Sequence, residues 1–68
     1  MPYASNEQLP PSVREHLPPH AQDIFREAFN RAFVQYDDEA TVFRIAWAAV
    51  KRRYEKVAGE WVPRVGGA

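Results

Sequence analysis

The tripeptide Leu-Pro-Pro occurs twice within the first 19 residues, at Leu9-Pro10-Pro11 and Leu17-Pro18-Pro19. Proline fixes φ, carries no amide donor and biases the preceding residue away from helix. Each copy therefore punctuates the chain. The second ends any helix that the first begins, so only a short helix fits between them, about Pro11 to His16. Leu9, Val13 and Leu17 are the apolar residues this segment can offer to a core. With 68 residues in all, the chain makes one domain, and a domain of this size hides only about 60% of its unfolded surface. It contains no cysteine, so packing rather than a disulfide or a thiolate metal site must hold it together.

After the second punctuation, Ala21, Ile24, Phe25, Ala28, Phe29, Ala32, Phe33 and Tyr36 recur at steps of three and four. This is the pattern of an amphipathic helix. A third helix follows from the acidic cluster Asp37-Asp38-Glu39, which suits a helix N-terminus, to the basic run Lys51-Arg52-Arg53 with Lys56, which suits a C-terminus. Phe43, Ala46, Trp47, Val50, Tyr54 and Val57 form its apolar stripe, and Gly59 is read as its stop. Val42, Ile45 and Ala49 lie opposite that stripe, where they receive the first helix or, if left exposed, contact a partner. No stretch is read as an alternating strand. The expectation is an all-α fold: a short N-terminal helix plus an antiparallel hairpin of two longer helices around an aromatic core. It spans residues 1–62, Trp61 to Pro63 fold back onto that core, and 63–68 form a flexible tail.

Nine basic residues balance nine acidic ones, yet residues 1–39 carry a net charge of minus four and the remainder plus four. Such asymmetry either ties the halves together or leaves a basic face for an anionic partner. Arg44, Lys51, Arg52, Arg53 and Lys56 make up that candidate face, competent for phosphates or for acidic protein. The other chemistry is sparse. His16 and His20 have the four-residue spacing of a helical metal pair, but the two prolines between them break the helix that would give them a common face. Three adjacent acids at 37–39 lack the alternating spacing of a calcium loop and are read as a helix cap. Ser5 and Ser12 have no evident base and carboxylate, and no glycine loop cradles a phosphate. Neither catalysis, nor a cofactor, nor a bound metal is expected. The longest apolar run, Ile45 to Val50, is too short to cross a bilayer, so no membrane insertion is expected, and a cysteine-free chain without a secretory signal suits the cytoplasm.

Taken together, "LPPSVREHLPPHAQDIFREAFNRAF" and "FRIAWAAVKRRYEK" resemble the ChaB family, small bacterial proteins described as regulators of cation transport. The resemblance covers roughly Pro2 to Trp61, with a shorter connection after Tyr36 than in the enteric form. It implies a non-enzymatic accessory protein acting on a sodium/calcium–proton antiporter, or on another protein. His20, Gln22, Asn30 and Lys51 are the polar matches that helix packing does not obviously demand, which makes them candidate partner-binding residues. Some family members are fused to a domain resembling the N-terminal part of a transcription termination factor. That association supports the alternative of a small nucleic-acid-binding module using the basic third helix.

Overall fold

Proline does two jobs in this chain, ending one segment and opening the next. In the computed structural model, which describes residues 3–64, a single 3-10 turn at Asn6–Gln8 leads to α1, Pro11–Arg14, and then to α2, Pro19–Phe33. Pro11 and Pro19 each occupy the first helical position, where the missing amide would have had no intrahelical partner. The long helix α3, Glu39–Arg53, starts at Asp38. One Asp38 carboxylate oxygen accepts the Ala40 amide at 3.2 Å, and the other accepts the Thr41 hydroxyl at 2.9 Å. The acidic cluster is thus a helix cap, as its position in the sequence indicates.

Helices α2 and α3 form an antiparallel pair around Ala21, Phe25, Phe29 and Ala32 on one side and Val42, Ala46 and Val50 on the other, all buried. Phe25 is fully enclosed, with its ring centroid 5.2 Å from Trp47 and 6.0 Å from Phe43. Leu9, Val13 and Leu17 from the proline-punctuated segment complete the same core.

The fold is not all-α. Helix α3 ends at Arg53, and the chain turns into a two-stranded antiparallel hairpin of β1, Tyr54–Val57, and β2, Glu60–Pro63. Tyr54 pairs with Pro63 and Val57 with Glu60, leaving Ala58 and Gly59 as a two-residue turn. Both turn residues have positive φ, 52° and 84°, the combination of a type I′ hairpin turn. Gly59 therefore closes a hairpin rather than a helix. The apolar positions Trp47, Val50, Tyr54 and Val57 fit a helical step, but only Tyr54 of the last two is buried, and Val57 is half exposed. Aromatic and β-branched residues at 54, 57, 61 and 62 favour strand, and pairing them satisfies backbone groups beyond the helix end.

The hairpin also brings Trp61 back to Trp47, at 5.9 Å between centroids, as the fold-back reading of Trp61 to Pro63 requires. Arg64 then donates its amide to the Arg53 carbonyl at 2.9 Å and its Nε to the Lys51 carbonyl at 2.8 Å. Both acceptors belong to the last turn of α3, whose carbonyls have no partners within the helix. Of the expected tail, Pro63 belongs to β2 opposite Tyr54, Arg64 is held by these two bonds, and 65–68 lie outside the described residues.

Candidate partner-binding groove

Helical spacing gives the α2/α3 pair two faces. On one side of α2, Gln22, Arg26, Asn30 and Phe33 follow at steps of three and four. The N-terminal segment lies here. Asn30 accepts the Tyr3 amide at its Oδ1 and donates Nδ2 to the Tyr3 carbonyl, both at 2.9 Å. Arg26 Nε donates to Asn6 Oδ1 at 2.8 Å, and Asn6 Nδ2 donates to Asp23 Oδ1 at 2.6 Å. Gln22 donates to the carbonyls of Leu17, at 2.8 Å, and Arg14, at 3.2 Å. The Tyr3 ring packs 4.8 Å from Phe29, and its phenol is held above its ordinary pKa, first by burial and then by the nearby Glu39 carboxylate.

The other face is open. A groove of about 410 Å³ runs between the helices over Ala28, Ala32, Ile45, Ala48 and Ala49, with Arg31, Gln35, Tyr36 and Arg52 at its edges. It continues into a depression of about 350 Å³ that shares Ala28, Arg31, Ala49 and Arg52 and reaches His20, Ile24, Glu27 and Arg53. Every lining residue belongs to α2, α3 or the two residues Gln35 and Tyr36. Small residues make the floor, while Arg31, Arg52 and Arg53 are exposed. Among the described residues none of these three arginines forms an ion pair. Contrary to the reading in which Val42, Ile45 and Ala49 receive the first helix, no α1 residue lines the groove over Ile45 and Ala49. They remain half-buried in the open groove, and Val42 points into the core.

The candidate residues are consequently divided. His20, Arg52 and Arg53 meet at one end of the groove. Arg44 and Lys51, seven residues apart, share an exposed side of α3 and line neither depression. Lys56 is on β1, not on the third helix, with its Nζ 6.0 Å from the Trp61 ring centroid. Gln22 and Asn30 are engaged with the N-terminal segment, so helix packing does account for them. Arg31, Ile24 and Ala28 join the groove although none is among the candidate binding residues, Ile24 and Ala28 being read only as part of the apolar pattern of α2. The two histidines go to separate partners. His16 Nδ1 is 2.7 Å from the Ser12 carbonyl oxygen, and the His20 ring lies 6.2 Å from Tyr54. Among the described residues no three His, Cys, Asp or Glu side chains converge as a metal site would require, and no helix is long and apolar enough to cross a membrane.

These features define a small, mostly helical domain braced by a β-hairpin, with a polar-bonded N-terminal strap on one face and an arginine-edged groove on the other. The chain belongs to the ChaB family, which it matches over residues 9–64. It is 48% identical to a protein of Escherichia coli (strain K12) named "Putative cation transport regulator ChaB", over 82% of this chain and 87% of that protein. A solution NMR structure of a protein with that same name superposes with a TM-score of 0.81 at 43% identity, covering 93% of this chain and 99% of the other. A 10.9 kDa protein from the LEF8-FP intergenic region of Lymantria dispar multicapsid nuclear polyhedrosis virus is 38% identical, over 81% of this chain and 57% of its own length.

Proposed function

We propose that this protein is a non-enzymatic accessory factor that regulates cation transport through a protein contact at the α2/α3 groove, working from the cytoplasmic side on a sodium/calcium–proton antiporter. The name shared by its relatives supports the cation-transport part. One observation carries the rest: the apolar floor at Ile24, Ala28, Ile45 and Ala49, with arginines at its margin, is left open by a chain small enough to need its apolar surface buried. An apolar centre with a polar rim is the anatomy of a protein–protein contact. Phosphate-tracking by a nucleic-acid module needs its cations along one path. Here only Arg52 and Arg53 of the five line the groove, while Arg44 and Lys51 lie outside it on α3 and Lys56 is on β1.

The test is cation–proton exchange in everted membrane vesicles carrying the antiporter, with the purified protein or its Ile45→Asp variant added. Exchange altered by the parent and unaltered by the folded variant is the expected result. Exchange indifferent to both would refute the proposal. A DNA-binding titration in parallel, showing tight binding that falls steeply with salt, would favour the nucleic-acid alternative instead.

A further inference from the structure

We infer that the groove receives an acidic amphipathic helix of the partner. This identification rests on the reading of the groove as the contact surface and adds the chemistry of what fills it. Two antiparallel helices with alanines at 28, 32, 48 and 49 leave a trough in which a third helix can approach at ordinary packing distance. From His20 to Ala32 the trough follows about three turns of α2, roughly 18 Å at the helical rise. The complementary ligand is a helix with apolar residues at i, i+3, i+4 and i+7, seated on Ile24, Ala28, Ile45 and Ala49.

Charge fixes the rest of its character. Arg31 stands on the α2 wall and Arg52 and Arg53 at the α3 wall, against the single carboxylate of Glu27 in the lining. Guanidinium groups bind carboxylates through two parallel donors, so Glu or Asp along both flanks of the incoming helix suits these walls. A second copy of this chain fits less well. Its own acidic residues Asp37 and Glu39 line a separate depression with Phe33 and Val42, and a two-fold pairing of grooves would set arginine against arginine.

The test uses two fluorescein-labelled stapled peptides of roughly fifteen residues, with the same leucines at i, i+3, i+4 and i+7 and with either Glu or Lys on the flanks. By anisotropy, the Glu peptide is expected to bind and the Lys peptide to bind at least about tenfold more weakly, with the preference shrinking as salt rises. In Arg31→Glu/Arg52→Glu, checked to melt like the parent, the order should reverse. Equal affinity for the two peptides, binding of neither, exclusion of both by a dimer seen in sedimentation, or tighter binding of a duplex oligonucleotide at the same salt would each overturn the inference. The vesicle assay separates this failure from failure of the underlying reading. If the peptides fail while Ile45→Asp still cancels the transport effect, the groove stands and its acidic-helix occupant falls. If Ile45→Asp leaves the transport effect intact, the groove itself is wrong.

Discussion

Replacing Asn30 by alanine separates a structural role from a binding role by the sign of the stability change. The side chain makes both of its hydrogen bonds to the backbone of Tyr3, each at 2.9 Å and spanning 27 residues of chain. A typical intramolecular hydrogen bond contributes about 0.5–1.5 kcal/mol net, so the pair is worth about 1–3 kcal/mol. Tyr3 is only partly buried, and water can reach its freed amide and carbonyl, which keeps the loss toward the lower end. Alanine also favours an α-helix over asparagine by about 0.6 kcal/mol. The net expectation is a destabilisation of about 0.5–1 kcal/mol, or a fall in Tm of roughly 2–8 °C for a domain of this size. Urea unfolding followed by Trp47 and Trp61 fluorescence measures it. Asn30→Asp is the control: it keeps an acceptor for the Tyr3 amide but sets a carboxylate oxygen against the Tyr3 carbonyl, and at neutral pH it should be at least as destabilising. If Asn30 served only an external partner, the alanine variant would be as stable as the parent or slightly more so. A Tm unchanged or raised would refute the clamp.

Other perturbations bear on the core, the hairpin and the strap. Phe25→Ala removes a ring with no exposed surface that touches Phe29, Phe43 and Trp47, at a cost of about 3–5 kcal/mol. A domain of this length has only roughly 3–10 kcal/mol in total, so calorimetry should find the variant largely unfolded or melting far lower. Ala58→Asn places Asn-Gly in a turn whose two central residues both have positive φ, and it should stabilise the protein by about 0.5–1 kcal/mol; an unchanged urea midpoint would speak against that turn. Because burial raises the Tyr3 pKa above 10.0, folding favours the protonated phenol. Stability from this source is present below the pH where a free tyrosine ionises and is lost as the pH rises through the higher folded value. Tyr3→Phe should abolish that alkaline loss, and an ultraviolet phenolate titration should show the Tyr3 transition displaced upward.

How far the sequence discloses this molecule depends on the length scale of the signal. The α2 pattern repeats over several turns and has one solution, and the two Leu-Pro-Pro breaks bracket a short segment because proline acts locally and strongly. The hairpin is hidden because a four-residue strand offers only two alternations, and the step from Val50 to Tyr54 to Val57 also reads as a helix. Ala-Gly is moreover a weaker hairpin signal than Asn-Gly. At the site, periodicity shows which residues share a side of α2 but not which side the N-terminal segment will cover. Asn30 looks functional in sequence because its partner, Tyr3, is 27 residues away and is brought to it only by the fold, and Gln22 because the carbonyls it meets, Leu17 and Arg14, lie across the proline break. Arg31 escapes notice for the converse reason, since an arginine opposite phenylalanines looks merely solvated until α3 supplies Ile45, Ala49 and Arg52 beside it.

The division of charge between the halves of the chain points the same way as the groove. If the asymmetry served to bind the halves together, ion pairs would cross between residues 1–39 and the rest. Among the described residues the two pairs found do not: Arg26 with Asp23, at 3.7 Å, joins neighbours within the acidic half, and Arg64 with Glu55, at 3.6 Å, joins the residue just after β2 to β1 within the basic half. Surface pairs of this kind contribute little in any case. The acids at 37–39 are placed to favour the start of α3, through the capping by Asp38 and the attraction of the helix dipole, and the basic run at 51–53 favours its end. That local role explains why each cluster sits where it does, but it draws on only the first and last turns of one helix. Among the described residues it leaves the guanidinium groups of Arg31, Arg52 and Arg53 without an ion-pair partner along an apolar trough, where an acidic helix would gain both from burying the trough and from meeting their positive charge.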